Sequence, residues 1–449
     1  MALTTLPPGP KGHYITGNLL DYARDPLGFL TRCSREYGDV VRLRFPGLPL
    51  YLLNHPDHAE HVLVKNNRNF IKSRYFRREL SFLGKGLLNS EGEFWRRQRR
   101  LAQPAFHRQR INAYGEVMVS YTEQMLATWQ DGEIRDVHQE MMRLLLDIVA
   151  KVLFDAEIAK SEEVREALDQ AIKRFDEQGS GMLLRFLLGN FPTPTNLRFR
   201  KAVRRLDEII YGIINERRSS GEDAGDLLSM LLHSRDEEGN RMSDKQLRDE
   251  VMTLLLAGHE TNALALSWTW YLLSQHPEVE SKLHEELQEV LADRAPTIED
   301  LPRLRYTEMV LKESMRLYPP AWGISREALE ECEIGGYRVP AGTQLFIVMW
   351  VLHRDPRYFE APEMFDPDRW EDDSVKRIPK HAYLPFGTGP RLCIGSSFAM
   401  TEATLLLATI AKKFQLRAVA EQQRVGPQPS VTLRPKGGMR MILRERSAA

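Results

Sequence analysis

Phe386-Gly387-Thr388-Gly389-Pro390-Arg391-Leu392-Cys393-Ile394-Gly395 is the stretch whose reading decides the fold. Gly387 and Gly389 allow backbone torsions closed to other residues, so the chain can bend tightly before a helix. The apolar run from Cys393 to Phe414 reads as that helix, the last long one of the chain. Cys393 then sits at its N-terminus, where unpaired N–H groups and the helix dipole favour a thiolate. Gly395 lets a flat partner approach closely, and Arg391, two residues before the cysteine, is placed to pair with an anion.

A lone thiolate with no second Cys or His close by does not build a zinc site. It can be the single axial ligand of a haem iron, whose equatorial ligands are porphyrin nitrogens. The competing reading is a buried inert cysteine, the usual fate of a free Cys. The glycine spacing and Arg391 weigh against it. Cys33 and Cys332 lack such a setting and read as structural.

Outward from this loop the chain is helix-rich. Ser243 to Pro277 is the most informative helix, with Ser243 and Gln246 as a capping box and Pro277 closing it and starting the next as an N1 proline. At 1.5 Å per residue it spans roughly 50 Å, and Val251 to Leu266 is apolar nearly all round, hence buried. Glu91 to about Asn215 is mostly helical, broken by a loop at 191–195, and a further helix covers about Leu304 to Leu317. The β signal is confined to Gly38–Asn54, with a turn at Gly47-Leu48-Pro49, to Glu333–Ile347, and to a last hairpin over Ser430–Leu443. Leu6-Pro7-Pro8-Gly9-Pro10 is a stiff entry segment, and Asp355 to Pro385 a long ordered coil.

A prior of about 150 residues per domain suggests roughly three domains for 449 residues, but large single folds defeat that prior. No internal repeat is visible, and helices with small peripheral β pieces around one central helix argue for a single domain, 1–449. A hydrophobic fraction of 42% and charged fraction of 28% are those of a globular chain. Lys+Arg and Asp+Glu balance at 62 each, which argues against a nucleic-acid binder. Three scattered cysteines exclude a disulfide scaffold and fit a reducing compartment. Met1–Gly17 shows no secretory signal, and the longest apolar run, Phe346–Leu352, falls short of the about 18 residues a membrane span needs. The expectation is a soluble, cytoplasmic protein.

Within the central helix, Ala257-Gly258-His259-Glu260-Thr261 stands out. Gly258 costs about 1 kcal/mol against Ala and needs a reason. Thr261 can bond back to the carbonyl of residue 257, and the two together can open a notch in the helix. Glu260 is costly in so apolar a stretch unless paired or hydrated. A hydroxyl beside an acid can pass protons to bound dioxygen; the bland alternative is a polar kink with Glu260 satisfied by a distant Arg.

The pattern Phe-Gly-x-Gly-x-Arg-x-Cys-x-Gly at 386–395 closely resembles the haem-binding signature of the cytochromes P-450, and four further segments in the expected order extend the resemblance over nearly the whole chain. Ala257–Thr261 resembles the oxygen-activation motif, with one departure: Asn262 follows where Thr or Ser is usual. Glu313 and Arg316 resemble the family's Glu-x-x-Arg pair, closed by Arg369 into a buried network that supports the cysteine loop. Trp95 and Arg99, together with Arg326 and Arg391, match the partners of the haem propionates. The resemblance implies a mainly α cytochrome P-450 fold holding haem b (iron protoporphyrin IX), with Cys393 as iron ligand and Thr261 and Glu260 as catalytic residues. Phe386, Gly387, Gly389, Gly395, Ala257 and Gly258 complete the cofactor site.

The activity implied is a haem-thiolate monooxygenase. One oxygen atom from O2 enters a C–H bond of a fatty acid, terpenoid or carotenoid. The alternatives are a peroxide isomerase or dehydratase, and a non-enzymatic haem sensor. Relatives of the former kind tend to lose the acid–Thr pair, so Glu260-Thr261 argues for the monooxygenase. Electrons are expected from a separate ferredoxin or flavodoxin with its NAD(P)H-linked reductase, because no redox module follows the last hairpin. Arg96, Arg97, Arg99 and Arg100 form a local basic cluster that could dock an acidic donor. By family topology the pocket is lined by Phe76–Leu88, 186–196, Leu256–Asn262, Ala321–Ile324 and Val431, with Phe82 and Trp322 as shape determinants.

Overall fold

The helix Asp244–Gln275 is the spine of the molecule. A computed structural model describes residues 6–154, 166–168, 170, 193–221 and 223–446. The expected capping box is formed: Gln246 N–H donates to the Ser243 hydroxyl at 3.3 Å, and Ser243 N–H donates to the Gln246 side chain at 2.8 Å. Pro277 opens the next helix, Pro277–Leu291, at its first position. The spine is buried on almost every side from Val251 to Leu273; the relief within that stretch is confined to Leu256–Gly258 and Thr261.

Helices Val137–Phe154, Pro194–Ser220, Arg305–Leu317 and Ser396–Lys413 pack around this spine. Each turns an apolar face inward, which is how a helical domain removes side chains from water. Trp268 and Trp270 are among the largest fully buried side chains. Trp268 stacks on Tyr318 with centroids 4.1 Å apart and donates its indole N–H to Leu433 O at 2.9 Å, so the ring's one polar atom is satisfied. Thr193 caps Pro194–Ser220, its hydroxyl accepting from Asn196 N–H at 3.2 Å; the loop expected at 191–195 otherwise falls partly outside the described residues.

The strands are small and peripheral. They are β1 (Val40–Phe45), β2 (Leu48–Leu53), β3 (Phe70–Ile71), β4 (Ile134–Asp136), β5 (Ile324–Ala328), β6 (Cys332–Ile334), β7 (Tyr337–Val339), β8 (Gln344–Ile347), β9 (Phe414–Ala418), β10 (Pro427–Pro429), β11 (Leu433–Pro435) and β12 (Arg440–Glu445). The largest sheet has the order β1-β2-β8-β5-β3, and only β2 and β8 in it are parallel. Its first turn is Pro46-Gly47, not Gly47-Leu48-Pro49, because Leu48 already pairs with Phe45 and Gly47 supplies the positive φ of +68°.

The hairpin expected over Ser430–Leu443 does not form. β11 pairs with β10, while β12 joins β9 and β4. The reason is that Leu433 is committed to the core: its N–H donates to Pro320 O at 2.9 Å and its carbonyl takes the Trp268 indole. Gly437 and Gly438, with φ of +83° and +79°, then lead the chain away to the other sheet. Among the described residues no helix is long and apolar enough to cross a membrane.

Candidate active site

The cysteine loop bends as its glycines suggested. Gly387 and Gly389 both lie at φ +71°, a region that disfavours any side chain. A Cβ on Gly389 would stand 2.1 Å from the Leu63 carbonyl oxygen, so the loop seats against the His61–Lys65 turn only with glycine there. The helix begins at Ser396, not at Cys393. Cys393 N–H is drawn back to Phe386 O at 3.0 Å, which closes the loop on itself and delays helix entry. The thiol faces a cavity of about 380 Å³. Burial pushes its pKa up, while the Gly395 N–H and the Arg99 guanidinium pull the other way. A bound metal ion is what would make it a thiolate.

The cavity floor is cationic. Lys72, Arg99, Arg326 and Arg391 all line it. Arg391 pairs with Glu91, donates to Ser90 O at 2.9 Å, and lies 3.9 Å from the Trp95 ring centroid. Arg99 donates to Leu392 O at 2.8 Å, directly before the cysteine. Among the described residues Arg326 donates to the Ser325 carbonyl alone, at 2.8 Å, and burial, then Arg391, holds its pKa down at about 10. Lys72 donates to Leu88 O, and its pKa lies well below the ordinary value, through burial and then through Arg326 and Arg391. Among the described residues Glu91 is the carboxylate that answers these cations, and Arg391 Nη1 is buried without a partner. Uncompensated buried charge costs several kcal/mol per ion. Two haem propionates, matched to arginine forks, would supply the missing anions, so the residues present fit the group. Lys72 and Glu91 were not singled out from sequence, since neither lies in a motif that marks it.

The spine closes the cavity from the other side with Ala257, Gly258 and Thr261. Thr261 bonds back to Ala257 O at 2.7 Å, as the spacing suggested. A Cβ on Gly258 would meet nothing nearer than Val149 at 3.5 Å, so glycine there keeps space open without a steric demand from the protein itself. Glu260 does not line the cavity. Its carboxylate is held by Arg434 and by the Thr432 hydroxyl, 2.6 Å away, which is the distant-arginine arrangement. Burial works to raise its pKa, but Arg434 and the Thr432 hydrogen bond outweigh this and it lies below the ordinary value. Asn262 lines the cavity, but its amide is committed to the protein: it donates to Ala399 O at 3.2 Å and to Glu402, a carboxyl that burial pushes up to about 8.

Glu313 and Arg316 are fully buried and doubly bonded, at 2.7 and 2.9 Å, and Arg369 joins Glu313 at 3.3 Å. The network is wider than the three residues read from sequence. Trp370 donates its indole to Glu313 at 2.9 Å, and Arg316 also donates to the carbonyls of His353, Pro362 and Met364.

Phe76, Leu87, Leu88, Val149, Leu153, Leu254 and Ile324 give the rest of the cavity an apolar wall. Phe82 and Trp322 are not part of it. Phe82 packs edge-on against Phe199, and Trp322 packs on Phe346 and donates to Ser430 O at 2.9 Å. Val431 and Leu256 are likewise absent from the lining, and 186–192 lie outside the described residues. The arginine run is not an open basic patch. Arg96 pairs with Glu93, Arg97 with Asp236 and Arg100 with Glu237, while Arg99 faces the cavity.

Chemistry of this kind belongs to haem-thiolate oxidoreductases. The Cytochrome P450 family profile matches residues 7–441. A cyclooctatin synthase of Streptomyces melanosporofaciens is 41% identical over 96% of this chain and 94% of its own. The pentalenene oxygenase of Streptomyces avermitilis is 36% identical over 94% and 91%. The crystal structure of the cytochrome P450DA haem domain superposes with a TM-score of 0.89 at 28% identity, covering 100% of this chain and 99% of that one. The chain belongs to the cytochrome P450 family: it is a haem-dependent monooxygenase that takes O2, a small-molecule substrate and electrons from a redox partner.

Proposed function

We propose that this enzyme hydroxylates a cyclic terpenoid. The apolar cavity wall carries the reading. The two hydroxyls that the spine brings to it are already engaged, Thr253 with Asp249 O and Thr261 with Ala257 O, each at 2.7 Å. The lining cations all belong to the floor around Glu91 and Cys393. A fatty-acid carboxylate therefore finds no second cation among the described residues, whereas a hydrocarbon needs none. The names of the relatives, a cyclooctat-9-en-7-ol 5-monooxygenase among them, support the same class. The test is a titration of the holoenzyme with pentalenene and a cyclic diterpene alcohol beside palmitic acid and β-carotene, read as the low-spin to high-spin absorbance change. A saturable change with the cyclic terpenoids is expected. A change with palmitic acid or β-carotene alone would reassign the substrate.

In this reading Cys393 would ligate the haem iron, and Lys72, Trp95, Arg99, Arg326 and Arg391 would hold the propionates. Haem, when bound, supplies the binding and activation of O2. Phe386, Gly387, Gly389 and Gly395 shape the cysteine loop that would receive it, and Ala257 and Gly258 keep space open on the spine side of the cavity. The Thr261 hydroxyl, which faces the cavity beside Ala257 and Gly258, handles protons there. Glu260 stands one residue away as the acid reserve, and reaches the cavity only on releasing Arg434. The Thr261→Ala variant is expected to keep haem and substrate binding while product per electron consumed falls by roughly tenfold or more, the balance leaving as hydrogen peroxide. Unchanged coupling would remove Thr261 from proton handling. The electron donor is a soluble ferredoxin or flavodoxin with its reductase.

A further inference from the structure

Arg248, Asp249 and Glu250 are consecutive on the spine and all buried, yet the reaction gives none of them a task. All three reach the backbone of one strap, residues 82–87. Arg248 donates to Phe82 O at 2.8 Å, Lys85 N–H donates to Asp249 at 2.8 Å, and Leu87 N–H donates to Glu250 at 3.0 Å. Two glycines let the strap lie this close. Gly84 has φ +63°, and a Cβ on it would stand 2.2 Å from the Asp249 carboxylate; one on Gly86 would stand 2.1 Å from Thr253 Oγ1. The strap then delivers Leu87, with Leu88 just after it, to the cavity wall, facing Thr253 and Leu254 of the spine.

We propose that Asp249 and Glu250 are positioning residues that clasp this strap to the spine, fixing the wall made by Leu87 and Leu88 and so setting which bulky substrates fit beside Ala257 and Thr261. The proposal rests on the reading of this cavity as the substrate site next to haem. Among the described residues Glu250 Oε1 is buried without a partner, so the clasp holds no spare donor for it. Burial pushes the Glu250 carboxyl up to about 8, against the Leu87 hydrogen bond and with help from Asp249. Other charged or titratable groups on the elements around it include Arg248 with its partner Asp207, Lys85 on the strap, Asp147 and Lys151 on Val137–Phe154, and His233 on Leu227–His233. A clasped carboxyl whose value is raised above that of the open form binds its proton more tightly when closed. Closure is thus favoured at low pH and loses that support as pH rises towards about 8.

The test uses the holoenzyme and two neutral iron ligands, pyridine and 4-phenylpyridine, read by their absorbance changes. E250L is expected to weaken 4-phenylpyridine by about fivefold or more relative to pyridine, the scale of one lost buried hydrogen bond. E250Q, which keeps an acceptor for Leu87 N–H, is expected to hold the wild-type ratio. An unchanged ratio in E250L overturns the clasp. Should E250L yield no holoprotein, the ratio is followed from about pH 6.5 to about pH 9. A fall in the wild type with a flat E250Q supports the clasp, and the same profile in both, sloping or flat, overturns it. Loss of pyridine binding itself would mean that the haem site, not the clasp, had been misread.

Discussion

Cys393→Ala is expected to abolish the red-shifted ferrous–CO absorption of a thiolate-ligated haem and to lower turnover by at least about a thousandfold, roughly 4 kcal/mol on the barrier. The loop should survive the change. Its fold depends on the Cys393 N–H to Phe386 O bond and on glycines at φ +71°, none of which involves the sulfur. The cationic floor is also untouched, because Lys72, Arg99, Arg326 and Arg391 hold their places through carbonyls and Glu91. The variant therefore separates haem retention from haem chemistry. Pigment that remains bound while the red-shifted band disappears is the expected pair of results. A band of unchanged position would remove Cys393 as the ligand.

What could be read from sequence followed the range of the physics. The spine was legible because its signals are local: a box over Ser243–Gln246, an apolar run, and a proline at 277. Gly387 and Gly389 were legible because only glycine tolerates their torsions. The Thr261 back-bond spans a single turn of helix. Failures came where a partner is far along the chain. Arg434 lies 174 residues from the Glu260 it holds, and nothing near Glu260 announces it. Arg97 and Arg100 look like an open basic run until Asp236 and Glu237 arrive from another part of the fold. The last hairpin failed for the same reason, since Leu433 is bonded to Pro320 and Trp268 rather than across a local turn. Wall residues fared no better: Phe82 and Trp322 are large and aromatic, but their rings pack on Phe199 and Phe346, partners that no local pattern announces.

Arg316→Met is expected to cost about 3–5 kcal/mol, as removal of one partner from a buried ion pair generally does. The residue is fully buried, and no solvent can replace what it gives. Its loss leaves Glu313 to Arg369 at 3.3 Å, Trp370 at 2.9 Å and the Asp366 N–H at 3.1 Å, and it strips donors from the carbonyls of His353, Pro362 and Met364. Arg316→Lys should do nearly as badly, because an ammonium cannot reproduce a fork that spans one carboxylate and three carbonyls. Damage should also reach the cysteine loop. His353, whose carbonyl Arg316 fixes, accepts Leu384 N–H on its ring at 2.8 Å, two residues before Phe386. That acceptor role needs a neutral imidazole, and burial, followed by Arg316 and Arg354, holds the His353 pKa down at about 3. The expected signature of Arg316→Met is thus a lower thermal midpoint together with faster haem loss. A variant that melted like the wild type and kept its haem would show that the network does not support the loop.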